Sequence, residues 1–308
     1  MAEMSSVFNG SPAAAKRCAV VTGGNKGIGF EVCRQLASKG VLVVLTARDE
    51  KRGVEALQKL GGSGNADVAF HQLDVTNSAT IASLVDFIKT QFGKLDILVN
   101  NAGISGAIIN YDLLKLEEAR DEEVGRQLEM LLKAHEETSE LVEECVKTNY
   151  YGTKTVTEAL LPLLQLSNSA RIVNVSSSLG LLQQISNERA KEVFNNIDEH
   201  TEERIDEVLN EFLIDHKKGS LQSKGWSNDI SAYKVSKAAM NAYTRILARK
   251  FPSFCINCVC PGYVKTDITC NTGIFTAEEG AESIVELALL PIDGPSGLFF
   301  SRNQVSGF

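Results

Sequence analysis

Short runs rich in β-branched residues punctuate the chain at Cys18 to Thr22, Val41 to Thr46, Val68 to His71, Leu95 to Val99, Arg171 to Val175, Phe254 to Cys260 and Leu298 to Ser301. Several are apolar on successive residues, as strands buried on both faces must be, and helix-length segments separate them. The alternation predicts one α/β domain over residues 17–308, built on a doubly wound, parallel, seven-stranded sheet with right-handed crossovers. Two polar helical insertions interrupt it, at about 104–148 and 181–230. In the first, Val124, Leu128, Leu131 and Leu132 recur at helical spacing. In the second, Ile205, Val208, Leu209, Phe212 and Leu213 form a stripe behind Thr201, a candidate N-cap. Both insertions follow C-terminal ends of strands, the rim where such sheets bind ligands, so they are expected to form a lid.

Composition narrows the function. With 308 residues, 44% of them apolar, the chain can bury a large core. Its net charge of −8 comes from one place: Tyr111 to Cys145 carries 12 acidic and 4 basic residues, and the rest holds 27 of each sign. That segment reads as a solvated acidic helix face, with a docking face for a basic partner as the alternative. The charge argues against nucleic acid and against an anionic membrane surface. No apolar run reaches the roughly 18 residues of a membrane span. Residues 1–16 read as a flexible extension without a signal core, so a cytoplasmic protein is expected. The seven cysteines read as reduced thiols, and Cys255, Cys258 and Cys260 as core packing in a strand. The four histidines are scattered singly, and no metal site is expected. Thr276 with Glu279 reads as a helix capping box.

The first strand runs into Thr22-Gly23-Gly24-Asn25-Lys26-Gly27-Ile28-Gly29, followed by an amphipathic helix. Glycines there let the backbone turn tightly against a pyrophosphate, whose charge then sits at the positive end of the helix. This context predicts a Rossmann-type dinucleotide site. The end of the second strand should meet the adenosine ribose, and it reads Leu45-Thr46-Ala47-Arg48, without an acid. Arg48, with Lys26, suits a 2′-phosphate, so NADP is favoured over NAD; the alternative makes Asp49 the ribose acid.

Tyr233 and Lys237 lie four apart and share one helical face. Tyr150 and Lys154 have the same spacing, so position must decide between the pairs.

Taken together, these motifs resemble the short-chain dehydrogenase/reductase family from about Arg17 to Phe300. Its TGxxxGxG is Thr22 to Gly29, its NNAG is Asn100 to Gly103, and its helix asparagine is Asn149. Its serine is Ser177, its YxxxK is Tyr233 with Lys237, and its PG turn is Pro261-Gly262. Tyr150 then matches by accident. The resemblance implies that Ser177 holds a carbonyl oxygen, Tyr233 gives it a proton, and Asn149 links a proton relay. Lys237 would bind the nicotinamide ribose and, together with the positive nicotinamide of an oxidised cofactor, lower the phenol by about three units, worth roughly 4 kcal/mol. It further implies cofactor contacts by Gly23, Asn25, Lys26, Gly27, Ile28 and Gly29, by Asn101, Ala102 and Gly103, and by Pro261, Gly262, Val264 and Thr266. Val264 and Thr266 would grip the carboxamide, and Asp74, beside Val75, would bond the adenine or serve as a turn acid.

One departure points to a subgroup. Ser177 and Tyr233 stand 56 apart, far more than in most members. The extension before the tyrosine resembles that of monomeric carbonyl reductases and of the plant group that includes salutaridine reductase and menthone (neomenthol-forming) reductase. That similarity implies a monomer reducing a bulky, apolar, cyclic ketone of terpenoid or alkaloid type with NADPH. Ile104, Ser177, Leu181, Trp226 and Tyr263 are the candidate pocket walls, with Trp226 alternatively a packing anchor. Two other readings are a double-bond reductase or alcohol dehydrogenase, and a noncatalytic NADPH-binding interaction protein. The retained tyrosine and proton-relay residues argue against both.

Overall fold

Strands form where the apolar runs predict them: β1 (Cys18–Val21), β2 (Leu42–Ala47), β3 (Val68–Gln72), β4 (Ile97–Asn100), β7 (Arg171–Val175), β8 (Cys255–Cys260) and β9 (Phe299–Ser301). A computed structural model describes residues 16–62, 67–109, 135–196 and 201–308. These seven strands run parallel in the order β9-β8-β7-β4-β1-β2-β3. An eighth, β10 (Gln304–Ser306), turns back antiparallel on β9. The sequence pattern does not announce it, because three residues on a sheet edge, two of them exposed, need no apolar alternation. The predicted parallel sheet thus gains a short antiparallel edge.

Every residue of β1, β2, β4, β7 and β8 is buried, which is why these runs lack polar alternation. Val20, Val44, Leu98, Ile172 and Ile256 face one layer of core, which includes residues of α3 (Ser78–Phe92), α5 (Thr153–Leu164) and α8 (Ser231–Lys250). Their neighbours Ala19, Val21, Val43, Val99 and Val173 face the other, against α1 (Gly27–Ser38), α2 (Glu50–Gly62) and α9 (Ala277–Ala288). The capping box predicted at Thr276 and Glu279 opens α9.

The first insertion begins with the pair β5 (Ile108–Ile109) and β6 (His135–Glu136), followed by α4 (Ser139–Val146). The predicted helical stripe Val124 to Leu132 and most of the acidic segment lie outside the described residues, as do residues 1–15 of the N-terminal extension. The second insertion folds into α6 (Glu188–Asn195) and α7 (Glu202–Lys217). The predicted stripe of α7 is buried at Ile205, Val208, Leu209 and Phe212; Thr201 holds the cap position, but its side chain makes no capping bond there.

Helices α4, α6 and α7 pack against α8. Nearly the whole length of α8 is buried as a result, polar residues included.

Candidate active site

The winding reverses between β1 and β4, and outside their C-terminal ends lies a cavity of about 590 Å³. Loops from four strands and α8 line it. The β1 loop contributes Gly23, Lys26, Gly27, Ile28 and Gly29, and the β4 loop Asn101, Ala102 and Gly103. Ser177 comes from β7, Tyr233 and Lys237 from α8, and Pro261, Gly262, Tyr263, Val264 and Thr266 from β8.

The β1 end is built for an anion. Lys26 occupies the cap position of α1 without capping it and pairs instead with Asp267, so the first-turn N–H groups keep no side-chain partner there. A Cβ on Gly29 would lie 2.4 Å from both the Gly23 carbonyl oxygen and Asn101 Nδ2, so turn and helix meet only with glycine. Thr22 Oγ1 accepts from the N–H groups of Asn101 and Ala102 at 2.9 and 3.0 Å, and Asn101 Nδ2 donates to the Thr22 carbonyl at 2.9 Å. The two motifs are therefore one rigid cradle, and it fits the pyrophosphate of a dinucleotide.

Opposite it stand the reactive groups. Ser176 Oγ donates to Asn241 on α8 at 2.6 Å, and Asn241 Nδ2 donates to the Gly180 carbonyl at 3.0 Å. A Cβ on Gly180 would lie 2.6 Å from Lys237 Cβ, so glycine is what allows the serine turn to lie flat on the helix. Ser177 is held there within hydrogen-bond reach of Tyr233. Lys237 Nζ donates to the Val175 carbonyl at 2.7 Å.

Burial lowers Lys237 to about 8 and pushes the Tyr233 phenol up, against the hydrogen bond from Ser177, which favours the phenolate. The expected lowering of the phenol calls on the positive nicotinamide of an oxidised cofactor as well as on Lys237; in the chain by itself, desolvation is the largest influence on Tyr233 and acts upward. Asn149 is fully buried in a π-helical turn, Lys147–Gly152. Its Oδ1 accepts from the Ile104 N–H at 2.9 Å, and its Nδ2 donates to the Ile104 carbonyl at 3.0 Å and to Ser236 Oγ at 3.1 Å. It lies behind the cavity, tying the β4 loop to α8. The matching-by-spacing pair is elsewhere: Tyr150 is in the core, and Lys154 pairs with Asp206 at 2.7 Å.

Several predicted residues do not line the cavity. Trp226 packs edge-on against Phe212, with Nε1 donating to Asp215 at 3.0 Å, so its anchor role replaces the wall role. Leu181 joins Cys258, Cys260, Phe299 and Phe308 in a separate apolar cluster, and Ile104 turns into the main core. Asn25 stays within the glycine turn, outside the lining. Arg48 is 73% exposed and 3.5 Å from Glu144 of α4. Asp49 accepts from the Arg52 N–H at 2.9 Å and so starts α2. Asp74 accepts from the N–H and hydroxyl of Thr76 at 2.9 and 2.8 Å, a turn acid, with Val75 buried beside it. Wall residues that pattern reasoning missed include Ser178 and Leu179, signalled by adjacency to Ser177, and Ile230 and Ser105, which carry no signal. Of the two insertions, only Ser105 and Ile230 reach the wall among the described residues; the insertion helices cover α8 rather than the cavity.

Among the described residues no cluster of His, Cys, Asp or Glu could hold a metal, and no helix is long and apolar enough to cross a membrane. A doubly wound sheet with an anion cradle at its switch point and a serine, tyrosine and lysine facing it defines a dinucleotide-dependent oxidoreductase. Residues 17–189 match the short chain dehydrogenase family, and the chain belongs to it. It is therefore an oxidoreductase of carbonyl and alcohol groups that uses a nicotinamide cofactor. It is 56% identical over 310 residues to short-chain dehydrogenase/reductase 1 of Saponaria officinalis, with all of both chains covered. To (+)-neomenthol dehydrogenase of Capsicum annuum it is 54% identical, across 95% of this chain and 98% of that one. The solved structure of salutaridine reductase from Papaver somniferum is similar with a TM-score of 0.88 at 55% identity, covering 93% of this chain and 99% of that one.

Proposed function

We propose that the chain reduces a bulky, apolar, cyclic ketone of terpenoid or alkaloid type to the alcohol with NADPH. The convergence of Ser177, Tyr233 and Lys237 on one wall of a cavity whose other end is an uncapped helix N-terminus carries this reading. The names of the plant relatives support the substrate class.

Ser177 would hold the ketone oxygen by a hydrogen bond that strengthens as charge builds there. Tyr233, a phenol protonated at neutral pH, would give that oxygen its proton. Lys237, charged below about pH 8, favours the phenolate left behind. Asn149 would hold the β4 loop and the head of the relay. Reduced nicotinamide, when bound, supplies the hydride that reaches the carbonyl carbon.

Gly23, Asn25, Lys26, Gly27, Ile28 and Gly29 would hold the pyrophosphate, Asn101 to Gly103 and Lys237 the ribose side, and Pro261, Gly262, Val264 and Thr266 the carboxamide. Asp74 and Val75 would meet the adenine. Arg48 and Lys26, both exposed cations, support the choice of NADPH over NADH. The cover of insertion helices over α8 supports a monomer. The odd number of cysteines, with Cys18, Cys33, Cys145, Cys255, Cys258 and Cys260 buried in the core, supports a reducing compartment, the cytoplasm in this reading.

The test is NADPH oxidation with a panel of cyclic ketones, comparing the wild type with Tyr233→Phe. Turnover lost with cofactor affinity kept supports the proposal. Undiminished turnover in the variant removes Tyr233 as the acid, and cofactor binding without turnover of any carbonyl favours a noncatalytic role.

A further inference from the structure

Helix α8 carries the reactive tyrosine but does not cap itself. Its cap position is Ile230, which has no side-chain acceptor and sits in the left-handed region, at φ 39° and ψ 44°. A β-branched residue adopts that conformation only when its surroundings impose it. Ile230 also lines the cavity.

The missing acceptor comes from the other insertion. Glu137, just before α4, sends its carboxylate onto the first turn of α8. Oε2 accepts from the Ser231 N–H at 3.0 Å and from the Ser231 hydroxyl at 2.7 Å, and Oε1 accepts from the Ala232 N–H at 2.9 Å. A carboxylate at the positive end of a long helix makes charge-assisted bonds, shorter and stronger than neutral ones. At the same junction Lys234 Nζ reaches Asp229 at 2.6 Å and so ties down the loop that delivers Ile230. The turn preceding Tyr233 is therefore held by two carboxylates, one of them distant in sequence.

We propose that Glu137 is a positioning residue for the reaction. By fixing Ser231 and Ala232 it sets the direction from which Tyr233 enters the cavity beside Ser177. This assignment also explains how a long insertion can end immediately before the catalytic helix. The amide groups that a preceding loop would ordinarily satisfy are satisfied from the first insertion instead. The proposal rests on Tyr233 as the proton donor, so Tyr233→Phe is measured alongside.

The experiment uses the full chain with NADPH and a cyclic ketone that the wild type reduces. Glu137→Ala is expected to lower the single-turnover rate about tenfold, in keeping with the cost of small misplacements at a reacting centre. The dissociation constant for NADPH should stay within about twofold, and the primary isotope effect with 4-deuterated NADPH should rise. Glu137→Gln keeps one acceptor oxygen and should recover several-fold of the rate. Ser231→Ala removes one bond only; its effect should be smaller and non-additive with Glu137→Ala, and it serves if the alanine variant does not fold. A Glu137→Ala enzyme with lowered melting temperature but wild-type rate and isotope effect, while Tyr233→Phe is inactive, overturns the proposal and leaves the tyrosine reading intact. Loss of rate and cofactor affinity together, without rescue by glutamine, also overturns it. An active Tyr233→Phe overturns both.

Discussion

Lys237 Nζ lies 5.6 Å from the centre of the Tyr233 ring, yet burial keeps the tyrosine above its ordinary range. In the free enzyme the phenol should therefore hold its proton at and beyond the pH where free tyrosine ionises, about 10. Tyrosinate absorbance, taken as the difference between wild type and Tyr233→Phe, should show no ionisation at neutral pH without cofactor. Saturation with oxidised cofactor should move that ionisation downward, since a positive charge nearby favours the phenolate. A neutral-range tyrosinate in the free enzyme would show that the lysine alone does the work.

Arg48 faces Glu144 across 3.5 Å, both of them largely in solvent. A 2′-phosphate would have to share the guanidinium with that carboxylate. Arg48→Ala should weaken NADPH binding by about tenfold or more and leave NADH binding unchanged, since one charge-assisted contact is worth about 1.5–3 kcal/mol. Glu144→Gln should strengthen NADPH binding by at most about fivefold, because exposed pairs contribute roughly 0–1 kcal/mol. Calorimetric titration with both cofactors checks the pair. Equal losses for NADPH and NADH in Arg48→Ala would mean that Arg48 does not read the phosphate.

Trp226 belongs to the packing of α7, with its indole N–H on Asp215. Trp226→Phe keeps an aromatic ring against Phe212 and loses the hydrogen bond. Stability should fall by about 1–3 kcal/mol, as expected when a part-buried acceptor loses its donor. The KM for cyclic ketones should not change. Denaturant melts and ketone kinetics on one preparation check both halves, and a changed ketone preference with unchanged stability would return Trp226 to the pocket wall.

Residues whose role follows from backbone geometry were legible in the sequence. Gly29 is required by contacts that tolerate no Cβ, and Tyr233 and Lys237 share a helix face whatever surrounds them. Five of the seven parallel strands could be read because burial on both faces leaves an unbroken apolar run. What escaped reading depends on distance in space. Glu137 meets Ser231 across 94 positions, and nothing in either segment marks the meeting. Leu181 and Ile104 flank reactive motifs but turn away from the cavity, because a side chain's direction at the end of a strand is set by packing that neighbours in sequence do not encode. The upward push of desolvation on the Tyr233 phenol was likewise hidden, since it depends on how much protein surrounds the group.

Lys237 is fully buried with its ammonium on the Val175 carbonyl at 2.7 Å, and burial brings it from 10.5 to about 8. Between those two values the unfolded chain binds more protons than the folded one, so folding stability rises with pH across that window. Below about pH 8 the full cost of the buried charge is present; above 10.5 it is gone. At about 1.4 kcal/mol per unit, that cost is on the order of 3 kcal/mol. Lys237→Met fills the same space without a charge and gives up one hydrogen bond, worth about 1 kcal/mol. The variant should be inactive and yet more stable than the wild type by about 2 kcal/mol at pH 7, the difference between those two figures. The gain should shrink as pH approaches 10.5 and reverse to a small loss beyond it. Denaturant melts of both proteins across that range check the sign. A variant less stable at neutral pH would mean that the ammonium is better solvated in the folded enzyme than its burial implies, and that the site carries less stored electrostatic cost than the geometry assigns to it.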